Sequence, residues 1–218
     1  MSIQDMIAQL GQGMLTSVLI YALTLIGAVP LALPLALARG GKSKIARLLT
    51  GAYISFMRGT PLMLQLIAVY FGPWYLFRIR ISDGYRFYAV IIAFVLNYAA
   101  YFAEIYRAGL ESIPAGQYEA AKVLGYSRPQ TFMCIILPQL TRRVLPTVTN
   151  EVITLIKDTS LAYTVSVVEM FTVAKQISAA ETDMTALFVA GLIYYVFNFA
   201  VAFGMERLER RMNTYSIR

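Results

Sequence analysis

The sequence predicts an all-α membrane protein with five transmembrane helices, and three observations lead to that fold class. The chain of 218 residues is 58% hydrophobic and only 14% charged, whereas globular proteins carry about 25% charged residues. Most apolar residues occur in runs that approach the roughly 20 residues a helix needs to cross a bilayer. The basic residues are concentrated between these runs in a pattern that gives all the spans one consistent orientation.

The spans are placed by the length of each apolar run and by the polar residues that interrupt it. The predicted spans cover residues 14–37, 55–77, 87–109, 140–168 and 185–204, within a single transmembrane domain over 1–218. In the first span, Pro30 and Pro34 lie one turn apart, which favours a kink supported by neighbouring helices. The fourth stretch is longer than a straight span requires, which favours a break or a strong tilt.

The loop after the first span determines the predicted orientation. Its sequence RGGKSKIAR, residues 39–47, contains basic residues and no acidic ones, so the positive-inside rule places it in the cytoplasm. With five spans, the N-terminus is then outside and the C-terminus is cytoplasmic. Most of the 19 Lys and Arg residues fall on the cytoplasmic side, and those expected outside are Arg78, Arg80, Arg86 and Lys175. The sequence therefore predicts a multi-pass membrane protein.

A charged stretch between spans three and four predicts two short cytoplasmic helices. It reads YEAAKVLGYSRPQTFMCIILPQ. Pro114 suits the start of a first helix, and Gly125 suits the left-handed residue that ends it. We call residues 114–136 the knob.

The second helix of the knob is predicted to begin at Arg128. Ser127 and Gln130 have the S-x-x-Q spacing of a capping box, and Pro138 marks the end of this helix or a bend into span four. These residues alone leave two interpretations open: a loop that lies on lipid headgroups, or a projection that contacts another protein.

Composition excludes several other classes of function. The basic residues follow topology and form no patch with stacking aromatics, so nucleic acid is not expected as a partner. With no His and the single Cys134, the chain predicts no metal site, no disulfide and no catalytic residues. The segment GGKS at 40–43 lacks the first glycine of a phosphate-binding loop, because Ala36 occupies that position. No cofactor is expected on this chain.

Polar residues inside the spans form two stripes, and such residues usually face protein or water. In span three, Asn97, Tyr101, Glu104 and Ala108 share one helical face. The alternative to a pathway-lining role is an ion pair between Glu104 and Arg107. Span four carries a second stripe, formed by Thr147, Asn150, Glu151, Thr154, Lys157 and Asp158.

Lys157 and Asp158 are adjacent, so their side chains point about 100° apart on a regular helix and cannot face each other. Each residue therefore needs its own partner, or the helix breaks at KDTS. In span two, Gly59 and Pro61 suit a flexible helix start, and Gln65 is one turn further on. Gln65 is a candidate for the pathway, whereas Arg58 is expected among lipid phosphates.

The knob also carries a family signature. The spacing EAA-x3-G-x9-I-x-L-P is matched by Glu119, Ala120, Ala121, Gly125, Ile135, Leu137 and Pro138. Together with FMRGTPLMLQL at 56–66 and ILPQLTRRVLPTVTNEVITLIKDTSLAY at 136–163, these residues make the chain resemble the permease subunits of type I ABC importers, in the polar amino acid uptake family. The resemblance covers most of the chain.

This resemblance implies the five-span type I permease fold, a location in the bacterial cytoplasmic (inner) membrane and a set of partners. They are a second permease subunit, identical or paralogous, two cytoplasmic ATPase subunits that bind ATP and Mg²⁺, and an extracytoplasmic solute-binding protein. The knob would dock into the ATPase, and its implied coupling residues are Tyr118, Glu119, Ala120, Ala121, Gly125, Ser127 and Arg128. Closure of the ATPase would drive alternating access.

The implied substrate is an amino acid, which presents an ammonium and a carboxylate. We expect Glu104 or Asp158 to meet the ammonium, and a helix end, Lys157 or the hydroxyls of Thr159 and Ser160 to meet the carboxylate. The candidate pathway residues are Gln65, Asn97, Tyr101, Glu104, Glu151, Thr154, Lys157, Asp158, Thr159 and Ser160. The alternatives are internal salt bridges that order the bundle, and, for the whole protein, a proton-coupled secondary carrier or a structural membrane subunit.

Overall fold

The computed structural model describes residues 1–82 and 84–213, with the side chain of residue 213 excepted. Within these residues all regular structure is helical. The α-helices are α1 (Ile3–Gly40), α2 (Lys44–Gly59), α3 (Leu62–Phe77), α4 (Tyr85–Glu111), α5 (Ala115–Val123), α6 (Arg128–Gln130), α7 (Leu137–Asp158), α8 (Met170–Glu181) and α9 (Thr185–Asn213). A π-helix, Thr131–Ile136, joins α6 to α7, and a 3₁₀ helix, Thr159–Val165, follows α7. The predicted cytoplasmic Arg218 lies outside the described residues.

Three of the described helices are long and apolar enough to cross a membrane. They are α1, α4 and the Thr185–Met212 part of α9, and they contain the predicted spans 14–37, 87–109 and 185–204. The pair α2 and α3 passes the same test only if both helices count as one broken span. The described structure thus supports three or four spans by length and composition, and the predicted count of five stays a prediction, as does the orientation of the termini.

The predicted span over 55–77 consists of two helices, and the break lies where Gly59 and Pro61 indicated a flexible helix start. Helix α2 ends at Gly59, α3 begins at Leu62, and the two axes are bent by 109°. Pro61 causes the break because it has no backbone N–H to donate, and it forces the preceding residue out of the helical region. Thr60 is accordingly extended, with φ −120° and ψ 147°.

The fourth predicted span also differs from a single helix over 140–168. Helix α7 begins earlier, at Leu137, and ends at Asp158, after which the chain continues as a 3₁₀ helix to Val165. A break at KDTS was one of the two expected outcomes, and it is the one observed. The chain then forms α8, a helix of 12 residues that the sequence analysis did not predict. Residues 159–181, the 3₁₀ helix and α8 together, are called the connector below.

Helix α4 lies at the centre of the fold and packs most extensively against α1. Small side chains allow this approach: Ala28 and Ala32 of α1 and Ala99 and Ala103 of α4 are fully buried. A Cβ atom added to Gly27 would lie 2.7 Å from Cγ2 of Val95. Close packing through small residues is how helices associate in lipid, where water provides no hydrophobic driving force between them.

Candidate functional site

The first helix of the knob ends in a Schellman motif centred on Gly125. Its N–H donates to the carbonyl of Lys122 at 3.1 Å, and the N–H of Tyr126 donates to the carbonyl of Ala121 at 3.0 Å. Gly125 has φ +79°, a left-handed conformation that glycine adopts without the penalty of a Cβ atom. Pro114 precedes α5 as its N-cap. Both ends of the predicted first helix are therefore confirmed.

The second part of the knob begins where the capping residues predicted. The Oε1 atom of Gln130 accepts from the N–H of Ser127 at 2.9 Å and from its hydroxyl at 2.8 Å. The helix does not end at Pro138. A π-helix links it to α7 without interruption, and the N–H of Leu137 donates five residues back, to Phe132. A wider turn is favoured at this point because Pro138 lacks an N–H and its ring crowds the preceding turn.

Most of the predicted coupling residues lie on the surface of the knob. Those exposed are Tyr118, Glu119, Ala120, Gly125, Ser127 and Arg128. Ala121 is the exception, because only 1% of its surface is exposed. It contributes to packing within the chain rather than to the exposed face. The apolar side chains of Val123 and Leu124 are also exposed, at 87% and 73%, so the knob presents an apolar surface that its own chain leaves uncovered.

A cavity of about 450 Å³ brings the two predicted polar stripes together. Helix α4 contributes Tyr101, Glu104 and Ala108, and α7 contributes Thr147 and Glu151. Arg58, at the C-terminal end of α2, and Arg143 of α7 complete its charged lining. Helices distant in sequence thus place two carboxylates and two guanidinium groups around one space.

The charges of the cavity differ in how firmly they are bound within the chain. Arg107 donates to Glu104 at 2.5 and 3.1 Å and to Glu111 at 2.6 Å, so the expected pair of Glu104 and Arg107 is confirmed. Arg143 donates to the carbonyl of Ser112 at 2.8 Å, at the end of α4.

Arg58 and Glu151 have looser environments. The guanidinium carbon of Arg58 lies 5.3 Å from the centroid of the Tyr101 ring, and its charge interacts with both Glu104 and Glu151. No ion pair within 4 Å is formed by Glu151 in the described part of the chain. These two residues therefore carry the opposite charges best able to meet a ligand.

The remaining predicted residues of span four lie around the end of α7 and outside the cavity lining. Asp158 accepts a hydrogen bond from the hydroxyl of Tyr98 at 2.7 Å. The hydroxyls of Thr159 and Ser160 each donate at 2.7 Å to backbone carbonyls three residues back. Lys157 is exposed. The hydroxyls thus stabilise the transition from α-helix to 3₁₀ helix.

Thr154 also bonds to the backbone, since its hydroxyl donates to the carbonyl of Asn150 at 3.0 Å. Gln65 and Asn97 occupy the corner between α2 and α3. Only 7% and 4% of their surfaces are exposed, and the amide of Asn97 donates to Oε1 of Gln65 at 3.0 Å. They are joined to each other and do not line the cavity. A pathway role for these three residues stays a prediction.

The sequence analysis missed Glu169, which is fully buried. Its carboxylate accepts from the N–H groups of Phe171 at 2.8 Å and Thr172 at 2.7 Å, and so caps α8. It also accepts from the hydroxyls of Ser17 in α1 at 3.3 Å and Tyr194 in α9 at 3.1 Å. An acidic residue directly before MFT was the available signal, since a carboxylate at the N-cap favours a helix start. Among the described residues, no cluster of His, Cys, Asp and Glu side chains has the arrangement of a metal site.

Comparison with known proteins gives a consistent result. A sequence model of the family described as "Binding-protein-dependent transport system inner membrane component" matches residues 28–214. The chain is 38% identical over 187 residues to the L-cystine transport system permease protein TcyB of Bacillus subtilis, covering 85% of this chain and 78% of that protein. It is 38% identical over 163 residues to the arginine transport system permease protein ArtQ of Bacillus subtilis, covering 74% and 73%.

Solved structures resemble the whole chain. One, described as an amino acid ABC transporter with histidines, aligns with a TM-score of 0.84 at 27% identity and covers 97% of this chain and 99% of that chain. The MetNI methionine ABC transporter in an inward-facing conformation aligns with a TM-score of 0.76 over the same shares of each chain. At 17% identity, this second similarity supports the fold alone.

Proposed function

Because the chain belongs to the family of binding-protein-dependent transport system inner membrane components, we propose that it is the membrane-spanning permease subunit of an ATP-driven amino acid importer. Relatives named for L-cystine and arginine transport support the substrate class. The observation that carries the proposal is the cavity in which Arg58, Glu104 and Glu151 meet from three helices. A bacterial inner membrane is the corresponding location.

The free amino acid is a zwitterion, and the cavity offers a charge for each of its groups. Arg58 contacts the carboxylate, which a guanidinium can bind through two parallel hydrogen bonds. Glu151 contacts the ammonium, and Glu104, already paired with Arg107, adds negative potential beside it. In this assignment Arg58 takes the place of Lys157, Thr159 and Ser160 as the ligand of the carboxylate. The hydroxyls of Thr159 and Ser160 already donate to backbone carbonyls, and Lys157 does not line the cavity. The assignment also replaces Asp158, which binds Tyr98.

The knob transmits the motion of a separate ATPase subunit, which binds ATP and Mg²⁺. Its backbone caps hold its shape without help from the bilayer, while its exposed side chains remain available to a partner. The π-helix makes the knob continuous with α7, and α7 lines the cavity. A displacement of the knob is therefore transmitted through the continuous π-helix and α7 to Thr147 and Glu151. This coupling is the basis for alternating access.

The complete importer contains further subunits. A second permease subunit, identical or paralogous, covers the polar face of α7, where Asn150 and Lys157 are exposed. Two ATPase subunits and an extracytoplasmic solute-binding protein complete the assembly. The alternative of a proton-coupled carrier is disfavoured by membership of a family whose transport depends on binding proteins.

Reconstitution into liposomes tests the proposal. The chain is purified with its co-expressed ATPase and permease partners, and uptake of labelled L-cystine and L-arginine is measured with the binding protein present. Uptake should require ATP and should not respond to an imposed proton gradient. Uptake driven by the proton gradient alone would reject the hypothesis of an ATP-driven importer in favour of a secondary carrier.

Variants test the cavity assignment in the same assay. Arg58→Lys and Glu151→Gln should each raise KM at least about tenfold, since a hydrogen bond to a charged group contributes about 1.5–3 kcal/mol. Glu111→Gln is the matched control, because it loses one bond to Arg107 on the same helix without lining the cavity. An unchanged KM in both cavity variants would remove these two residues from the substrate site.

A further inference from the structure

We propose that Gln65 and Asn97 are positioning residues that hold the C-terminal end of α2 so that Arg58 points into the cavity. This inference rests on the proposed function in one respect only, the contact between Arg58 and substrate. The positioning itself is argued from hydrogen bonds, burial and the bend between α2 and α3.

The bend leaves the last carbonyl groups of α2 without backbone N–H donors. The last carbonyls of any helix have no partner within it, and the 109° turn after Gly59 removes the continuing chain that would supply N–H groups. Side chains take their place. The hydroxyl of Thr60 donates to the carbonyl of Phe56 at 2.8 Å, while Gln65 and Asn97 donate to the carbonyl of Met57 at 2.9 and 3.1 Å.

The two amides form one unit with the corner. The Nε2 atom of Gln65 also contacts the carbonyl and hydroxyl oxygens of Thr60, at 3.1 and 2.8 Å. The Oε1 atom of Gln65 in turn accepts from Asn97 at 3.0 Å. Residues from α2, α3 and α4 are thereby tied at one point. Since both side chains are buried, loss of either removes one of the two donors to the Met57 carbonyl and leaves the other buried amide without its amide partner.

The Gln65 and Asn97 amides determine the position of Arg58. It directly follows Met57, whose carbonyl accepts from both amides, so these bonds restrain the peptide group that joins Met57 to Arg58. Its guanidinium lies over Tyr101, one turn along α4 from Asn97. Helix α4 therefore holds both ends of Arg58: Asn97 fixes the backbone beside it, and Tyr101 faces the guanidinium.

A nearby hydrogen bond provides a matched control. The hydroxyl of Tyr53 donates to the carbonyl of Leu96 at 2.5 Å, and so also joins α2 to α4. This bond lies more than one turn before the end of α2 and involves neither the Met57 carbonyl nor the side-chain amides of Gln65 and Asn97. Tyr53→Phe removes one bond between the same two helices while leaving Met57 and Arg58 held.

Chemical labelling tests the positioning without any substrate. Cys134 is the single cysteine, so a Cys134→Ser background with Arg58→Cys reports on that position alone, in the assembled transporter. The rate at which a cationic methanethiosulfonate reagent modifies Arg58→Cys is measured. This rate is divided by the rate for Thr147→Cys, which lies across the cavity, to give an accessibility ratio. Asn97→Leu and Gln65→Met should lower this ratio at least about fivefold, and Tyr53→Phe should leave it unchanged. Equal ratios in all variants would overturn the proposal.

Transport kinetics with L-cystine and L-arginine test whether the positioning acts through Arg58. Asn97→Leu should raise KM with little effect on kcat in the Arg58 protein, and should have no further effect on KM in Arg58→Lys. An equal rise in both backgrounds would indicate a general structural role and would reject the inference. If Arg58→Lys alone leaves KM unchanged, the substrate role of Arg58 fails, and the labelling ratio still decides for or against the positioning.

Discussion

The knob and the connector are both short helical segments between long helices, yet different interactions hold them in place. The knob is shaped by bonds between residues close in sequence, such as Gly125 with Lys122 and Ser127 with Gln130. The connector is anchored by Glu169, whose partners in α1 and α9 are 152 and 25 residues away. A locally capped segment keeps its side chains exposed for another protein, whereas a tertiary anchor fixes a segment against its own chain.

The largest expected effect comes from removing the anchor of the connector. Glu169→Ala leaves the N–H groups of Phe171 and Thr172 without their acceptor and removes one acceptor of the Ser17 and Tyr194 hydroxyls, so we expect a loss of about 3 kcal/mol in the free energy of unfolding. Thermal unfolding in detergent measures it. Glu181→Ala is the control, because it removes only an exposed ion pair with the N-terminus and should have little effect. Equal losses would mean that the connector is not anchored at Glu169.

The close contact between α1 and the connector gives the next effect. A Cβ atom on Gly13 would lie 2.8 Å from the Cα atom of Met170, and backbone cannot move aside as a flexible side chain does. Gly13→Ala should therefore destabilise the protein by about 1–3 kcal/mol. Gly11→Ala, two residues earlier where a Cβ atom meets nothing within 4 Å, should be neutral or stabilising in the same unfolding measurement. Destabilisation by both would contradict a specific contact with Met170.

In the knob, a substitution at Gly125 should act through backbone conformation alone. Gly125 has φ +79° with open space around its Cβ position, so Gly125→Val should cost about 1–2 kcal/mol and distort the surface offered to the ATPase. We expect weaker binding of the ATPase and ATP hydrolysis that no longer drives uptake. Gly125→Asn, which tolerates the left-handed conformation, should retain coupling. Equal coupling in the two variants would count against the knob as the coupling element.

The smallest effect should have the opposite sign. Gly116 lies in α5 with nothing within 4 Å of a Cβ atom, so Gly116→Ala should raise the stability of the knob by up to about 1 kcal/mol. Thermal unfolding of the isolated permease subunit measures this gain. A loss as large as that of Gly13→Ala would show that the knob is packed as tightly as the connector, and the contrast between them would fail.

The knob was also the region predicted best from the sequence. Pro114, Gly125, Ser127 and Gln130 act on backbone groups within a few residues, so their spacing already contains the interaction. Glu169 has a comparable role at α8, but its partners Ser17 and Tyr194 come from distant helices. Its place directly before Met170 could have indicated a helix start, but nothing near it in the sequence identified these two partners.

In the polar stripes, too, local periodicity was predictable from the sequence whereas contacts between helices were not. Helical periodicity placed Tyr101 and Glu104 on one face, and both line the cavity. Asn97 belongs to the same stripe, but the bend at Pro61 brings Gln65 against it and joins the two amides. Asp158 was, with Glu104, one of two candidates for contact with the ammonium of the substrate; it accepts a hydrogen bond from Tyr98 and does not line this cavity.

The sequence by itself determined the membrane class, three long apolar helices, the capped knob and the family signature, because hydropathy, turn chemistry and motif spacing are local properties of the chain. The tertiary structure alone decided which charges share the cavity, which amides hold the end of α2 and which carboxylate anchors α8. These outcomes depend on contacts between helices whose relative positions are fixed by packing. In this chain the bend at Pro61 brings Gln65 against Asn97, while Arg58, just before the bend, lines the cavity.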